Sequence, residues 1–328
     1  MLTRQQSREQ MSTQKIKQQN SYINSSHSTE QSENVLIEIL ELLDTGNKVQ
    51  VETDYLEIPL DPQLKRIVDY NNCYNKELFD SLINDQIDLG NCLLNHQIRD
   101  WVRGKMVDWM IQVFASIQSK NETTFFRAVN LMDVFLKNSQ NYTDQDLYLI
   151  GVTCIFIASK IEDINCLKIK TITENLSHNK FSQYQIKQME SIILQTLNYD
   201  INFPTVYDYL QYLRYQLFGL SENQSVIVIN ETADYILKMC CHDSQLMQYK
   251  QMLLAASILG YTIYNYVELH FSKLGEKLKK QLLYTQNNLL RIGQLELADY
   301  LNCLSKVEEL IQCFHSKYPL YNNLKQFN

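Results

Sequence analysis

The sequence predicts an all-α fold built from two successive blocks of helices, and three observations support this prediction. First, the 328 residues include only 8 Gly and 4 Pro, under a third of the usual combined share of about 12%. Hairpins and tight strand–helix turns need glycine, so sheet-rich folds are disfavoured. Second, apolar residues recur at helical spacing from about residue 74 onward. Third, a content of 45% hydrophobic and 20% charged residues allows buried cores and excludes a chain that is disordered throughout.

Residues 1–60 are predicted to be a disordered or low-complexity tail followed by a linker. Residues 1–33 are rich in Gln, Ser, Asn and Thr and lack apolar periodicity. The segment VLIEILELL (35–43) is predicted to form a short amphipathic helix, and Pro59 and Pro62 then favour an extended linker.

The first block is expected to start with a preceding helix and to contain five further helices. Val102, Met106, Trp109 and Val113 fall on one face at i, i+4, i+7 and i+11 spacing. Thr143 with Asp146, and Ser182 with Gln185, have the spacing of capping boxes at helix starts. The predicted helices span about 74–85, 98–119, 123–137, 143–161, 168–176 and 182–197.

The second block begins after Pro204, which interrupts the helical pattern. Thr205-x-x-Asp208 and Ser221-x-x-Gln224 predict its first two helix starts, and Pro319 follows its last helix. Each block has one helix that is apolar on all faces, LYLIGVTCIFIASK (147–160) and MLLAASILGYTIY (252–264), and such a helix is expected to be buried at the centre of its block. Further helices are predicted at about 244–264, 266–291 and 294–316.

Charge and cysteine content narrow the class of partner and compartment. The net charge is −7 and no basic face is visible, which argues against nucleic-acid binding and favours a protein or small-molecule partner. The start is polar and is no signal peptide, and the longest apolar stretches are shorter than the ~18 residues of a membrane span. We therefore expect no membrane partner. The cysteines include no C-x-x-C pair, and Cys240 and Cys241 are adjacent, which predicts free thiols in a reducing compartment.

Four collinear segments resemble the cyclin family, in its mitotic or S-phase group. They are VRGKMVDWMIQV (102–113), NETTFFRAVNLMDVFL (121–136), GVTCIFIASKIED (151–163) and QMESIILQTLNYDINFPT (188–205). The resemblance implies two tandem five-helix cyclin-box folds, with a preceding helix and the first box at 74–203 and the second box at 204–318. It also implies a regulatory subunit, not an enzyme, that binds and activates a cyclin-dependent serine/threonine kinase and helps to select its substrates. Such a protein controls cell division and mitosis from the nucleus and cytoplasm.

Lys160 and Glu190 match the charged residues of the family's kinase-binding face. Taken alone, Lys160 is a cation at a helix C-terminus and Glu190 a solvated acid. By the resemblance, both hold backbone groups of the kinase through charge-assisted hydrogen bonds. Ile161, Leu194, Tyr199 and Leu78 match neighbouring apolar contacts, although a core position stays open for Leu194 and Tyr199.

Six residues match the family's groove for Arg-x-Leu segments of substrates or inhibitors. Two departures alter it: Lys105 stands where the family usually has an aliphatic residue, and Gln112 where it usually has Glu, so one anion for the peptide's Arg is missing. The six residues are Val102, Met106, Trp109, Gln112, Leu147 and Tyr148. For Val102, Met106 and Trp109, a position in an ordinary core stripe is the alternative.

Arg103 and Asp133 match a pair that is structural in the family, since an Arg among apolar positions of a buried helix face needs an anion.

Other functions have less support. The sequence has no P-loop, no G-x-G-x-x-G, no H-E-x-x-H and no kinase catalytic-loop motif, and it suggests neither a metal site nor a cofactor. A non-activating cyclin-fold scaffold is one alternative. A transcription-initiation type of cyclin-fold protein is another, and it would need a basic face and a zinc ribbon.

Overall fold

The computed structural model describes residues 75–117, 121–219, 223–270, 284 and 288–318. The chain divides into two units, 1–84 and 85–328. In the first unit, helix α1 (Asn75–Asn84) is described and agrees with the predicted helix at 74–85. The predictions of a disordered tail and linker over 1–60, and of a helix at 35–43, lie outside the described residues.

The second unit begins with five helices, among which α4 is central. α4 packs against α2, α3 and α6, and its residues from Ile150 to Ser159 are all buried. This confirms the central position predicted from its apolar sequence. The α5 helix continues directly into a π-helical turn, Ile172–Leu176. The helices are α2 (Asp100–Ser116), α3 (Glu122–Lys137), α4 (Leu147–Glu162), α5 (Ile169–Thr171) and α6 (Gln183–Thr196).

Local hydrogen bonds cap the start of α6 and close a turn before α4. At α6 the Ser182 hydroxyl accepts a bond from the Gln185 N–H at 3.2 Å, and the Gln185 side chain accepts from the Ser182 N–H at 2.9 Å, which confirms the capping box. The predicted start at Thr143 is wrong, because α4 begins at Leu147. The Thr143 hydroxyl donates to the Asp146 carboxylate at 2.7 Å, while the Asp146 N–H donates to the Thr143 carbonyl. These bonds close a turn that precedes the helix.

The remaining helices surround α9, whose residues from Gln251 to Gly260 are buried. α9 packs against α7, α8 and α10, as predicted for a central apolar helix. The described residues form helices and turns and no strand. They include one isolated β-bridge, between Gln97 and Thr143. These helices are α7 (Val206–Phe218), α8 (Gln224–Cys241), α9 (Gln251–His270), a segment at 288–293 and α10 (Leu297–Lys317).

Several predicted boundaries in this second set need correction. α9 begins at Gln251 and not at 244, because a short 3-10 turn, Leu246–Gln248, precedes it. α9 continues to His270, so the predicted start of a new helix at 266 is wrong, because 266–270 belong to α9. Residues 271–283 lie outside the described residues. α8 has Asn223 as its N-cap, whose side chain accepts from the Ser225 N–H at 2.9 Å; the predicted Ser221 lies outside the described residues. The Thr205 capping box of α7 is confirmed.

Both sets of helices belong to the unit at 85–328, and polar bonds join them. Lys238 of α8 pairs with Glu122 of α3 at 2.9 Å, and Arg127 of α3 donates to the Phe203 carbonyl. The all-α prediction is confirmed. The boundary between the two boxes at 203/204 stays a prediction.

Candidate functional site

Lys160 and Glu190 lie together at the surface of the first helix set. Lys160 is near the C-terminal end of α4 and Glu190 is in α6, and their Nζ and Oε1 atoms are 2.5 Å apart. The Lys160 side chain is 41% exposed and that of Glu190 is 16% exposed. The Lys160 ammonium also lies 3.8 Å from the centroid of the Phe156 ring, a distance at which a cation is attracted to an aromatic face. The two residues predicted to share a face therefore form one accessible ion pair.

The end of α4 that carries Lys160 is fixed to the start of α3. The Asp163 carboxylate accepts from the Thr124 hydroxyl at 2.6 Å and from the Asn121 amide at 2.9 Å. Glu162 accepts from Arg127 Nε at 2.6 Å. These bonds join the side chains of Glu162 and Asp163 to α3 and so hold the end of α4 beside Lys160 in place.

The apolar residues predicted near this pair differ in exposure. Ile161 and Leu194 are half-buried. Tyr199 is 66% exposed and has a φ of 62°, so a core position is excluded for it. Leu78 is exposed and lies in the first unit. The sequence analysis missed Ile164, which is fully exposed just beyond the end of α4. Its signal was an apolar residue placed directly after the acidic Glu162–Asp163, at the predicted end of the helix.

Arg103 and Asp133 form a buried ion pair between α2 and α3. Arg103 Nε and Nη2 donate to the two Asp133 carboxylate oxygens at 2.8 and 2.5 Å, and the two side chains are 0% and 1% exposed. Arg103 Nη1 also donates to the Cys241 carbonyl at 2.9 Å. Burial alone would lower the pKa of Arg103, but the Asp133 carboxylate raises it above its usual range. The guanidinium therefore joins α2, α3 and the end of α8.

Cysteine chemistry around this pair is suppressed by burial. Burial and the Asp133 carboxylate raise the pKa of the Cys92 thiol to about 12, and burial raises that of Cys241 to about 12 despite the nearby Arg103. The seven cysteines within the described residues are free thiols. The buried thiols of Cys92 and Cys241 are therefore poor nucleophiles.

A pocket of about 330 Å³ opens between α2 and α4. Five of the six predicted groove residues line it: Val102, Met106, Trp109, Leu147 and Tyr148. The rings of Trp109 and Tyr148 meet edge to face, with centroids 5.0 Å apart. Met106 and Leu147 are buried, whereas Val102, Trp109 and Tyr148 are half-buried. The stripe on α2 therefore serves both the core and an accessible surface.

The polar residues of this pocket differ from those predicted. Gln112 is exposed but does not line the pocket, whereas Lys105 does. Asp144 also lines it, and Lys180 lies beside it, with Nζ 4.7 Å from the centroid of the Tyr148 ring. The sequence analysis missed both Asp144 and Lys180. Each lies in a loop outside the matched motifs, so no spacing pattern pointed to them.

The described part of the chain lacks two features. There, no group of three or more His, Cys, Asp or Glu side chains is placed to hold a metal ion. Within the same residues, no helix combines the length and hydropathy of a membrane span.

Comparison with known proteins relates the chain to cyclins. Residues 70–202 match the cyclin N-terminal domain. The chain is 28% identical over 193 residues to Cyclin-B2-2 of Arabidopsis thaliana, covering 59% of this chain and 42% of the relative. It is 26% identical over 207 residues to the G2/mitotic-specific cyclin-B2 of Anguilla japonica, covering 61% of this chain and 50% of the relative. The matched part thus spans half or less of the length of these relatives.

A solved structure shares the fold. The X-ray structure of a viral cyclin from herpesvirus saimiri superimposes with a TM-score of 0.58 and covers 76% of this chain and 99% of that one, at 17% identity. At this identity the likeness concerns the fold alone.

Proposed function

We propose that this chain is the regulatory subunit of a cyclin-dependent protein kinase. The support is that residues 70–202 match the cyclin N-terminal domain and that the chain resembles B-type cyclins. In this role it binds and activates the kinase, helps to select its substrates and acts in cell-cycle control in the nucleus and cytoplasm. The chemistry belongs to the kinase, and the chain supplies binding surfaces.

The Lys160–Glu190 pair is the observation that carries this proposal. An ammonium group has three N–H donors, and the 2.5 Å bond to Glu190 uses one of them. The others are available to backbone carbonyls of a partner, and the remaining carboxylate oxygen is available to its N–H groups. Because the pair is already formed and the end of α4 is fixed, little side-chain order has to be gained on binding.

Activation follows from preferential binding of one kinase conformation. Protein kinases need a Lys–Glu ion pair that is set by one mobile helix, together with an ordered activation loop. A ligand that binds the active arrangement more tightly shifts the equilibrium towards it, and a shift from mostly inactive to mostly active needs about 5.5 kcal/mol of differential affinity. An interface of ~2,000 Å² or more, as in many signalling assemblies, is large enough to supply it.

A double substitution tests the proposed kinase-binding face. We expect Lys160→Ala with Glu190→Ala to abolish capture of the kinase by the immobilised chain and phosphorylation of a Ser-Pro peptide by the captured material. Changing both residues avoids leaving one charge unpaired. The captured kinase is identified by mass spectrometry, and circular dichroism at 222 nm checks that helical content is unchanged.

The matched control is Lys170→Ala with Glu174→Ala, an exposed pair in the same helix set whose charged atoms are 3.9 Å apart. This control should capture and activate the kinase like the unmodified chain. Undiminished capture by the Lys160/Glu190 variant contradicts the proposed face. If the unmodified chain captures a kinase that stays inactive, the chain is a non-activating scaffold instead.

We also propose that the pocket between α2 and α4 docks segments of substrates or inhibitors. Its support is the accessible apolar lining, in which the edge-to-face rings of Trp109 and Tyr148 stand beside Val102. The resemblance to cyclins predicts Arg-x-Leu segments for such a groove.

A further inference from the structure

The apolar pocket between α2 and α4 is bordered by cationic side chains. Lys105 lines the pocket and is exposed, in the face of α2 that also presents Val102 and Trp109. From the opposite side, Lys180 holds its ammonium over the Tyr148 ring at 4.7 Å and near the Phe181 ring at 5.7 Å. Two positive charges therefore flank the aromatic part of the lining.

The one carboxylate on the lining is already neutralised. Asp144 accepts from Arg99 Nε at 2.6 Å and from the Arg99 backbone N–H at 3.0 Å, and Arg99 Nη2 lies 2.5 Å from its Oδ2 atom. The Arg99 side chain is 63% exposed, and its pair with Asp144 adds no net charge to the pocket. Asp146, the next acid along the chain, accepts from the Thr143 N–H and hydroxyl, and Gln112 carries no charge.

We propose that this pocket docks an apolar peptide segment flanked by acidic residues, and not a segment whose apolar residue is preceded by arginine. The inference rests on the proposed docking function and specifies its ligand. The lining supplies the site for a leucine-like or aromatic side chain, while Lys105 and Lys180 attract carboxylates and repel a peptide guanidinium. Charge complementarity of this kind sets specificity more than total affinity.

The recognition has to act at short range. The whole chain carries a net charge of −7, which repels an acidic peptide at long range. At physiological salt the Debye length is about 8 Å, so charges within contact distance of the pocket decide the preference and the distant ones are screened.

Peptide binding to the full chain tests this proposal. Fluorescence anisotropy compares a labelled peptide that has Leu-x-Leu flanked by Glu with the same peptide in which every Glu is replaced by Arg. At physiological salt we expect the Glu peptide to bind at least about tenfold more tightly, since several surface charges change from attraction to repulsion.

One charge reversal at the pocket should alter this preference. Lys105→Glu is expected to weaken the Glu peptide about fivefold and to strengthen the Arg peptide. The control, Lys250→Glu, makes the same change in net charge at an exposed residue just before α9 and should leave both affinities unchanged. Tighter or equal binding of the Arg peptide by the unmodified chain overturns the proposal. So does an equal response to the two substitutions, or binding of a phosphoserine peptide without binding of the Glu peptide.

The kinase-capture assay separates this inference from the proposed function. Lys105→Glu should still capture the kinase, because Lys105 is in α2 whereas the proposed kinase-binding pair is in α4 and α6. Normal capture with no preference for the Glu peptide refutes the docking inference alone. Preference for the Glu peptide with no kinase captured by the unmodified chain supports the docking inference and refutes the kinase proposal.

Discussion

Replacing Arg103 by methionine removes the charge from a pair that is buried on both sides. Asp133 then loses both guanidinium donors and, among the described residues, keeps the Cys92 thiol, whose sulfur is 3.7 Å from Oδ1. Removing one partner of a buried ion pair costs about 3–5 kcal/mol. The Cys241 carbonyl also loses its 2.9 Å bond, and an unsatisfied buried acceptor costs about 1–3 kcal/mol. Since single domains have about 5–15 kcal/mol of stability, we expect Arg103→Met to lose a large fraction of it.

The second variant, Arg103→Met with Asp133→Leu, distinguishes the charge from the shape of the side chains. This variant leaves no carboxylate at the position of Asp133. The unsatisfied Cys241 carbonyl therefore accounts for most of the remaining cost, about 1–3 kcal/mol. The double variant should therefore be more stable than Arg103→Met alone.

Urea unfolding, followed by circular dichroism at 222 nm and by tryptophan fluorescence, measures these differences. Arg99→Met is the control, since its pair with Asp144 is as short, at 2.5 Å, but Arg99 is largely exposed; it should cost less than about 1 kcal/mol. The reasoning is refuted if Arg103→Met costs no more than the control, or if the double variant is less stable than Arg103→Met.

Two further predictions concern buried positions. Burial raises the pKa of Glu122 despite its partner Lys238, so the folded state binds the proton more tightly, and the free energy of unfolding should fall as pH rises from about 4.5 towards neutrality. Urea midpoints across this range should show a smaller fall in Glu122→Gln; an unchanged fall assigns the pH dependence to other groups. Gly151→Ala would place a Cβ against the Met106 side chain and should cost about 1–3 kcal/mol, measured by urea unfolding, whereas an unchanged midpoint shows that Met106 moves aside freely.

Local patterns in the sequence determined most of the helices. The boxes at Ser182 and Thr205 were readable because their bonds join residues three apart, so spacing alone specifies them. The central helices were readable because a segment that is apolar on every face has to be buried. The starts of α4 and α9 were predicted too early because turns with helix-like composition precede both helices. The end of α9 was predicted too early because the helix continues without a stop signal in the sequence.

The resemblance to cyclins located residues but not their contacts. It assigned Lys160 and Glu190 to one face and six residues to one groove. The structure shows the contact between Lys160 and Glu190, and it shows five of the six groove residues around one pocket. The folded arrangement of loops alone brings Asp144 into that pocket and Lys180 beside it.

The sequence by itself thus determined the helical class, the two apolar central helices and the family resemblance, since each depends on composition or on spacing within a few residues. Tertiary structure alone decided which charges meet. Arg103 bonds to a carbonyl 138 residues away. Asp144 lines the same pocket as Lys105, and Lys180 lies over the Tyr148 ring at its edge. Such contacts depend on the packing of distant segments, which local periodicity does not encode.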